Sequence, residues 1–214
     1  MGQNAGYFAL IVAGLVTNAT TLAKPLNPDR AIPSLGDINS PLASPLFKQV
    51  KAGPLEIKLE ETTLADVEKA FGGAMHDEGD AGDSRHWLCY AGPDAGGSPS
   101  IFWFVSGEMG GSDHGVLSVA LQPNPEGKVP EGCAGAPASL TAIELDTPGV
   151  GAPLSDVAAK FGAAKPDRYG HFGFAASYPA SSPDQKDATV TQTLTSTAGN
   201  GRITGVAVTQ VTTN

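Results

Sequence analysis

The chain has 214 residues, a formal net charge of −9, only 16% charged side chains, and 27 Gly with 17 Pro. That length fits one large domain or two small ones, and the Gly and Pro content favours short strands and turns over long helices. The acidity argues against nucleic-acid binding, which rests on Lys and Arg at phosphates, and against docking on anionic lipid.

In chain order, Ala5–Val16 comes first, an apolar run of 12 residues. A bilayer span needs roughly 20 residues, so this run suits the h-region of a secretory signal. Thr21-Leu22-Ala23 fits a cleavage site, with Thr17-Asn18-Ala19 as a rival, although Met1–Asn4 carries no basic side chain. Residues 1–23 therefore read as a signal peptide. Its removal leaves no stable membrane insertion and a periplasmic or secreted protein. Residues 24–53, with Pro25, Pro28, Pro33, Pro41 and Pro45, read as a Pro-rich tether.

A first unit is expected over 54–122. Leu55, Ile57 and Leu59 alternate with Glu56, Lys58 and Glu60, the pattern of a half-buried strand. Thr63 with Asp66 three residues on predicts a capped helix start. Leu64, Val67 and Phe71 then form one apolar helix face, and Gly72-Gly73 ends it. Such a short helix is stable only when it lies on a sheet. Trp87–Tyr90, Ile101–Val105 and Val116–Leu121 supply the strands, separated by Gly/Pro/Asp-rich turns that allow antiparallel hairpins.

After a Pro/Gly linker at 123–139, a second unit over 140–214 repeats the course. Leu64-Ala65-Asp66-Val67-Glu68-Lys69-Ala70-Phe71-Gly72 returns as Leu154-Ser155-Asp156-Val157-Ala158-Ala159-Lys160-Phe161-Gly162, matching at five positions with an offset of 90. Ile143 and Leu145 mark a first strand. Phe172–Tyr178, Thr189–Thr195 and Ile203–Val211 mark three more. The fold class expected is α+β: two tandem β-α-β-β-β units, each a short helix packed on an antiparallel sheet.

The signature Leu-x-x-Val-x-x-x-Phe-Gly before a three-stranded meander resembles the SmpA/OmlA-type envelope assembly lipoproteins and the tandem-repeat β-lactamase inhibitor proteins. The likeness covers Leu64–Leu121 and Leu154–Val211. It departs from those families in two ways: each unit opens with a strand where they open with a helix, and no lipobox Cys follows the apolar run. The resemblance implies a partner that is an inhibited enzyme or an envelope assembly component.

Cys89 and Cys133 make an even count for an oxidising compartment. A disulfide between them is expected, with two separate buried thiols as the alternative; the spacing supports neither a CxxC redox pair nor zinc. Residues 54–122 hold 12 acids against 3 bases, a solvated surface or a field that steers a basic partner. The loop 76–86, with Asp77, Asp80, Asp83, His76 and His86, is the best metal candidate, yet its spacing is wrong for an EF-hand; it reads as a solvated turn. Ser112-Asp113-His114 reads as a turn, since neighbours in sequence cannot aim at one another as a triad requires. No metal ligands, cofactor or catalytic set is assigned.

Aromatic side chains crowd the first unit. Phe102 and Phe104 alternate with Ile101, Trp103 and Val105, so the strand is apolar on both faces and needs two covers. A helix supplies one. The tether, the other unit or a partner supplies the second. Trp87, Tyr90, Phe102, Trp103 and Phe104 are accordingly the candidate partner surface. In the second unit Thr189, Thr191, Thr193 and Thr195 form a ladder expected to face water. The function expected is an exported, non-enzymatic protein-binding module acting through the aromatic face. A structural envelope protein without a ligand and a small metal-dependent hydrolase at 76–86 are the alternatives.

Overall fold

The structure is a computed structural model and describes residues 42–80, 83–163, 165–167, 170–180 and 187–214. The signal-peptide reading and most of the tether reading lie outside the described residues.

Among the described residues, eleven strands and two short α-helices follow one another. They are β1 (Val50–Ala52), β2 (Leu55–Ile57), α1 (Leu64–Phe71), β3 (His76–Glu78), β4 (Arg85–Pro93), β5 (Pro99–Gly107), β6 (Ser118–Pro123), β7 (Ala134–Gly135), β8 (Ile143–Leu145), α2 (Leu154–Phe161), β9 (His171–Pro179), β10 (Thr189–Gly199) and β11 (Arg202–Thr213). The small sheet has the order β2-β1-β8. The large one runs β3-β4-β5-β6-β11-β10-β9, with β7 added beside β4.

The expected α+β fold of two tandem β-α-β-β-β units does not hold. Strand makes up 46% of the described residues and helix 12%, and the two meanders β4-β5-β6 and β9-β10-β11 are joined into one continuous antiparallel sheet by β6 and β11. Period-2 alternation assigns faces to strands, but it does not say which edges pair. Val119 and Leu121 on β6 and Val206 and Val208 on β11 carry their apolar side chains to the same face, so the two edges close on each other and bury one core.

The helices form where the pattern places them. Thr63 caps α1 in a reciprocal box: its Oγ1 accepts from Asp66 N at 3.2 Å, and Asp66 Oδ2 accepts from Thr63 N at 3.0 Å. Leu64, Val67 and Phe71 are buried; in α2 Val157 is buried and Phe161 packs beside Phe174. Hydrogen bonds to Thr63 hold the Asp66 carboxyl below its ordinary pKa. A depressed carboxylate stabilises the fold above its unfolded value and loses that contribution as pH falls through the folded one. Thr63→Ala is therefore expected to lower stability by about 1 kcal/mol at neutral pH. The deficit should shrink at acid pH, as urea titrations at two pH values would show.

Both helices and the small sheet lie on one face of the large sheet, over Leu88, Tyr90, Phe102, Phe104, Val119, Leu121, Phe174, Leu194, Val206 and Val208. Residues 42–53 do not behave as a tether. Leu46 and Phe47 are buried, and β1 is the central strand of the small sheet.

A pseudo-dyad passes between Ala120 and Ala207, which face each other across β6 and β11. Cross-strand partners read Cys89, Trp103, Ala120, Ala207, Thr195, Gly173 from one side of the sheet to the other. Backbone bonds repeat about it. Leu64 N donates to His114 O at 3.0 Å and Leu154 N to Gly201 O at 2.9 Å; Val116 N donates to Thr62 O at 2.8 Å and Ile203 N to Ala152 O at 2.9 Å. The outer edges are covered in matching fashion. Ala136 N donates to Ala91 O at 2.8 Å beside β4, and Leu42 N donates to Ala175 O at 2.9 Å beside β9. Each covering segment precedes the other half in sequence.

Candidate functional site

The five aromatic residues proposed as a partner surface are all buried. Tyr90, Phe102, Trp103 and Phe104 are 0% exposed and Trp87 is 7% exposed. Alternation also divides them. Tyr90, Phe102 and Phe104 point into the main core, whereas Trp87 and Trp103 stand on the opposite face with Cys89, Ile101, Val105, Ala120 and Ala207. They therefore do not form an exposed partner surface. The second cover of β5 comes from the chain itself. The connection after β6 reaches the outer edge of β4, where Cys133 is bonded to Cys89 on the Trp103 face, and the His76 ring stacks on Trp87 at 5.8 Å. A phenol removed from water holds its proton more tightly, so burial pushes the Tyr90 pKa up; its hydroxyl donates to Gly72 O at 2.6 Å, tying the end of α1 to β4.

The disulfide expected between Cys89 and Cys133 is present, which fits an oxidising compartment. Among the described residues no helix is long and apolar enough to cross a membrane.

The acid/His loop does not converge on a metal. It contains a strand, β3, that pairs His76 with Trp87 and Asp77 with His86. Neighbours on β4 point to opposite faces, so His76 and His86 lie on opposite sides of the sheet. His86 instead packs against His114, ring centroids 3.9 Å apart and planes tilted by 36°. The Ser112-Asp113-His114 segment is a turn in which His114 has φ 53° and Ser112 and Asp113 are exposed. Among the described residues no group of three or more His, Cys, Asp or Glu is placed to hold a metal ion.

The face that carries Trp103 in the first half is different in the second. There β10 presents Thr189, Thr191, Thr193, Thr195 and Thr197, flanked by His171, Gly173, Ala175, Ser177 and Pro179 on β9 and by Gly205, Ala207, Thr209, Val211 and Thr213 on β11. The exception to these small side chains is His171, opposite Thr197 at one end of the face, whose ring Nδ1 lies 3.1 Å from Asp167 Oδ2. Thr189, Thr191 and Thr213 are exposed, and Thr193, Thr197, Thr209, Val211 and Ser177 are half-buried. Thr195, at the row of the dyad, is buried at 5% exposure, so the ladder faces water along most of its length and closes toward the centre.

Sequence reasoning passed over a polar chain beneath the other face of β10. Gln192 Oε1 accepts from Leu46 N at 2.9 Å, and Gln192 Nε2 donates to Phe47 O at 3.1 Å and to Gln210 Oε1 at 2.9 Å. Gln210 Nε2 donates to Glu60 Oε2 at 2.9 Å, and Glu60 also accepts from Thr212 N at 2.6 Å and Thr212 Oγ1 at 2.7 Å. Burial, with the Glu60 charge beside it, raises the pKa of Tyr178. The signal was present: Gln192 sits at an inward position between Val190 and Leu194, and a buried amide needs partners.

No family model, no curated protein and no solved structure matches this chain.

Proposed function

We propose that this chain is an exported, non-enzymatic protein-binding module, periplasmic or secreted, that meets a folded protein partner through the open Thr-rich face of β9-β10-β11. One observation carries the reading: the same sheet face is sealed over the first meander and open over the second. Short Thr, Ser, Ala and Val side chains on a hydrogen-bonded sheet lose little rotamer freedom when covered, which keeps the cost of association low. Each exposed Thr offers a methyl for contact and a hydroxyl for a hydrogen bond. The disulfide supports an extracytoplasmic setting, and the sequence resemblance to envelope assembly and inhibitor modules points to the same class of activity.

Thr191→Lys places a charge in the middle of this face without touching the core. The variant should keep the wild-type circular dichroism and melting midpoint but fail to retain the protein that the wild type captures from an envelope extract. If both versions retain the same set, this face is not the binding surface, and a structural protein without a specific ligand becomes the better reading.

A further inference from the structure

The geometry points to a second device, a redox-operated latch: we propose that Cys89–Cys133 fastens β7 to the outer edge of β4, and that a dithiol reductant entering at Cys133 opens that edge while the two meanders stay folded. The bond lies outside the main core. Cys89, Cys133, Trp87 and Trp103 belong to the smaller apolar cluster on the opposite face, whereas both helices, the small sheet and the β6–β11 junction bury the larger one. What the bond fastens is slight. β7 has two residues, paired in parallel with Tyr90 and Ala91. The matching cover on β9 does without such a bond, because Gly173 stands in the place of Cys89, and Leu42 pairs there through backbone hydrogen bonds with Ala175 and Ser177. Capping a sheet edge in this fold therefore does not need a disulfide, and the bond at β7 is an addition to the pairing.

The two cysteines are unequally exposed. Cys89 is 4% exposed, while Cys133 is half-buried at the end of the connection. Exchange proceeds by thiolate attack on the reachable sulfur. A thiolate of the reductant bonds to Cys133 Sγ, the Cys89–Cys133 bond breaks, and Cys89 leaves as a thiolate that takes a proton from water. The second thiol of the reductant then attacks its own sulfur in the mixed disulfide. That releases Cys133 as a thiol and oxidises the reductant to its disulfide. With the latch open, the β4 backbone at Tyr90–Ala91 becomes a free edge, the kind of template that accepts an added strand.

Both tryptophans of the chain lie in the cluster with the disulfide, and a disulfide quenches adjacent indoles, so the wild-type protein reports its own latch. On reduction with a phosphine, tryptophan emission should rise, the far-ultraviolet β signal should persist, and amide exchange at Ala136 should accelerate about tenfold or more. Amides of β10 should keep their protection. With glutathione and rapid alkylation of the freed thiols, which traps the mixed disulfide before a second thiolate or Cys89 resolves it, peptide mapping should find the adduct on Cys133. Unchanged exchange at Ala136 in the reduced protein, loss of protection throughout the sheet, or glutathione on Cys89 would overturn the proposal. None of these readouts depends on the Thr face or its partner.

Discussion

Trp103→Ala is expected to lower stability by about 3–5 kcal/mol, the range for emptying a fully buried large aromatic site. Trp103 is 0% exposed on β5, in the interior of the large sheet. Its cross-strand partners are Cys89 and Ala120, and neither can swing in to fill the space: one is held in a disulfide and the other has no χ1. Strands on both sides limit backbone collapse, which places the cost toward the upper end. Trp103→Phe should lose less, because the ring occupies part of the volume and the indole Nε1, buried without a hydrogen-bond partner, is removed with it. Urea denaturation followed by circular dichroism measures both. A midpoint equal to the wild type in the Ala variant would show that the cluster contributes no packing energy. A binding role would instead leave stability intact and change capture alone, so this residue separates a core from an interface.

The second large effect concerns the junction. Because β6 and β11 pair, the protein is expected to unfold in one transition, with tryptophan emission and circular dichroism coincident. Both tryptophans report the first meander, while the dichroism reports every strand. Two independent units would separate the curves. Ala207→Pro tests the cause. Ala207 lies on an interior strand between Ala120 and Thr195, where proline removes a ladder hydrogen bond and fits only an edge. The expected loss is about 3 kcal/mol or more. The same change at Pro-tolerant positions such as exposed Thr213, at the end of β11, should cost far less. Coincident curves in the wild type that separate in the variant would locate the cooperativity at this seam.

The sequence was readable wherever local periodicity decides structure. Val67 and Val157 are both buried on the inner faces of short helices, and five of the six meander strands contain the strand-like runs that announce them, while β6 starts two residues later than its run, at Ser118. Cysteine count and compartment sufficed for the disulfide. What could not be read depends on pairing between distant segments. Nothing in the alternation of Ala120 or Ala207 says that they face each other. Within the Pro-rich stretches 24–53 and 123–139, β1 and β7 are only three and two residues long, too short to show a period, yet both are bonded strands. The aromatic surface was misjudged for a related reason. A strand apolar on both sides announces two covers, but not whether the second belongs to the chain or to a partner; here it is the chain's own connection after β6.

The seam strand β11 comes after every other strand in chain order. During vectorial synthesis or translocation, the first meander can assemble while its β6 edge still has nothing beside it. That bare edge persists until some eighty intervening residues, from Asn124 to Gly201, have followed. An unpaired row of amides and carbonyls invites association with other chains, so nascent protein should be most vulnerable to aggregation in the interval just before residues 202–213 arrive.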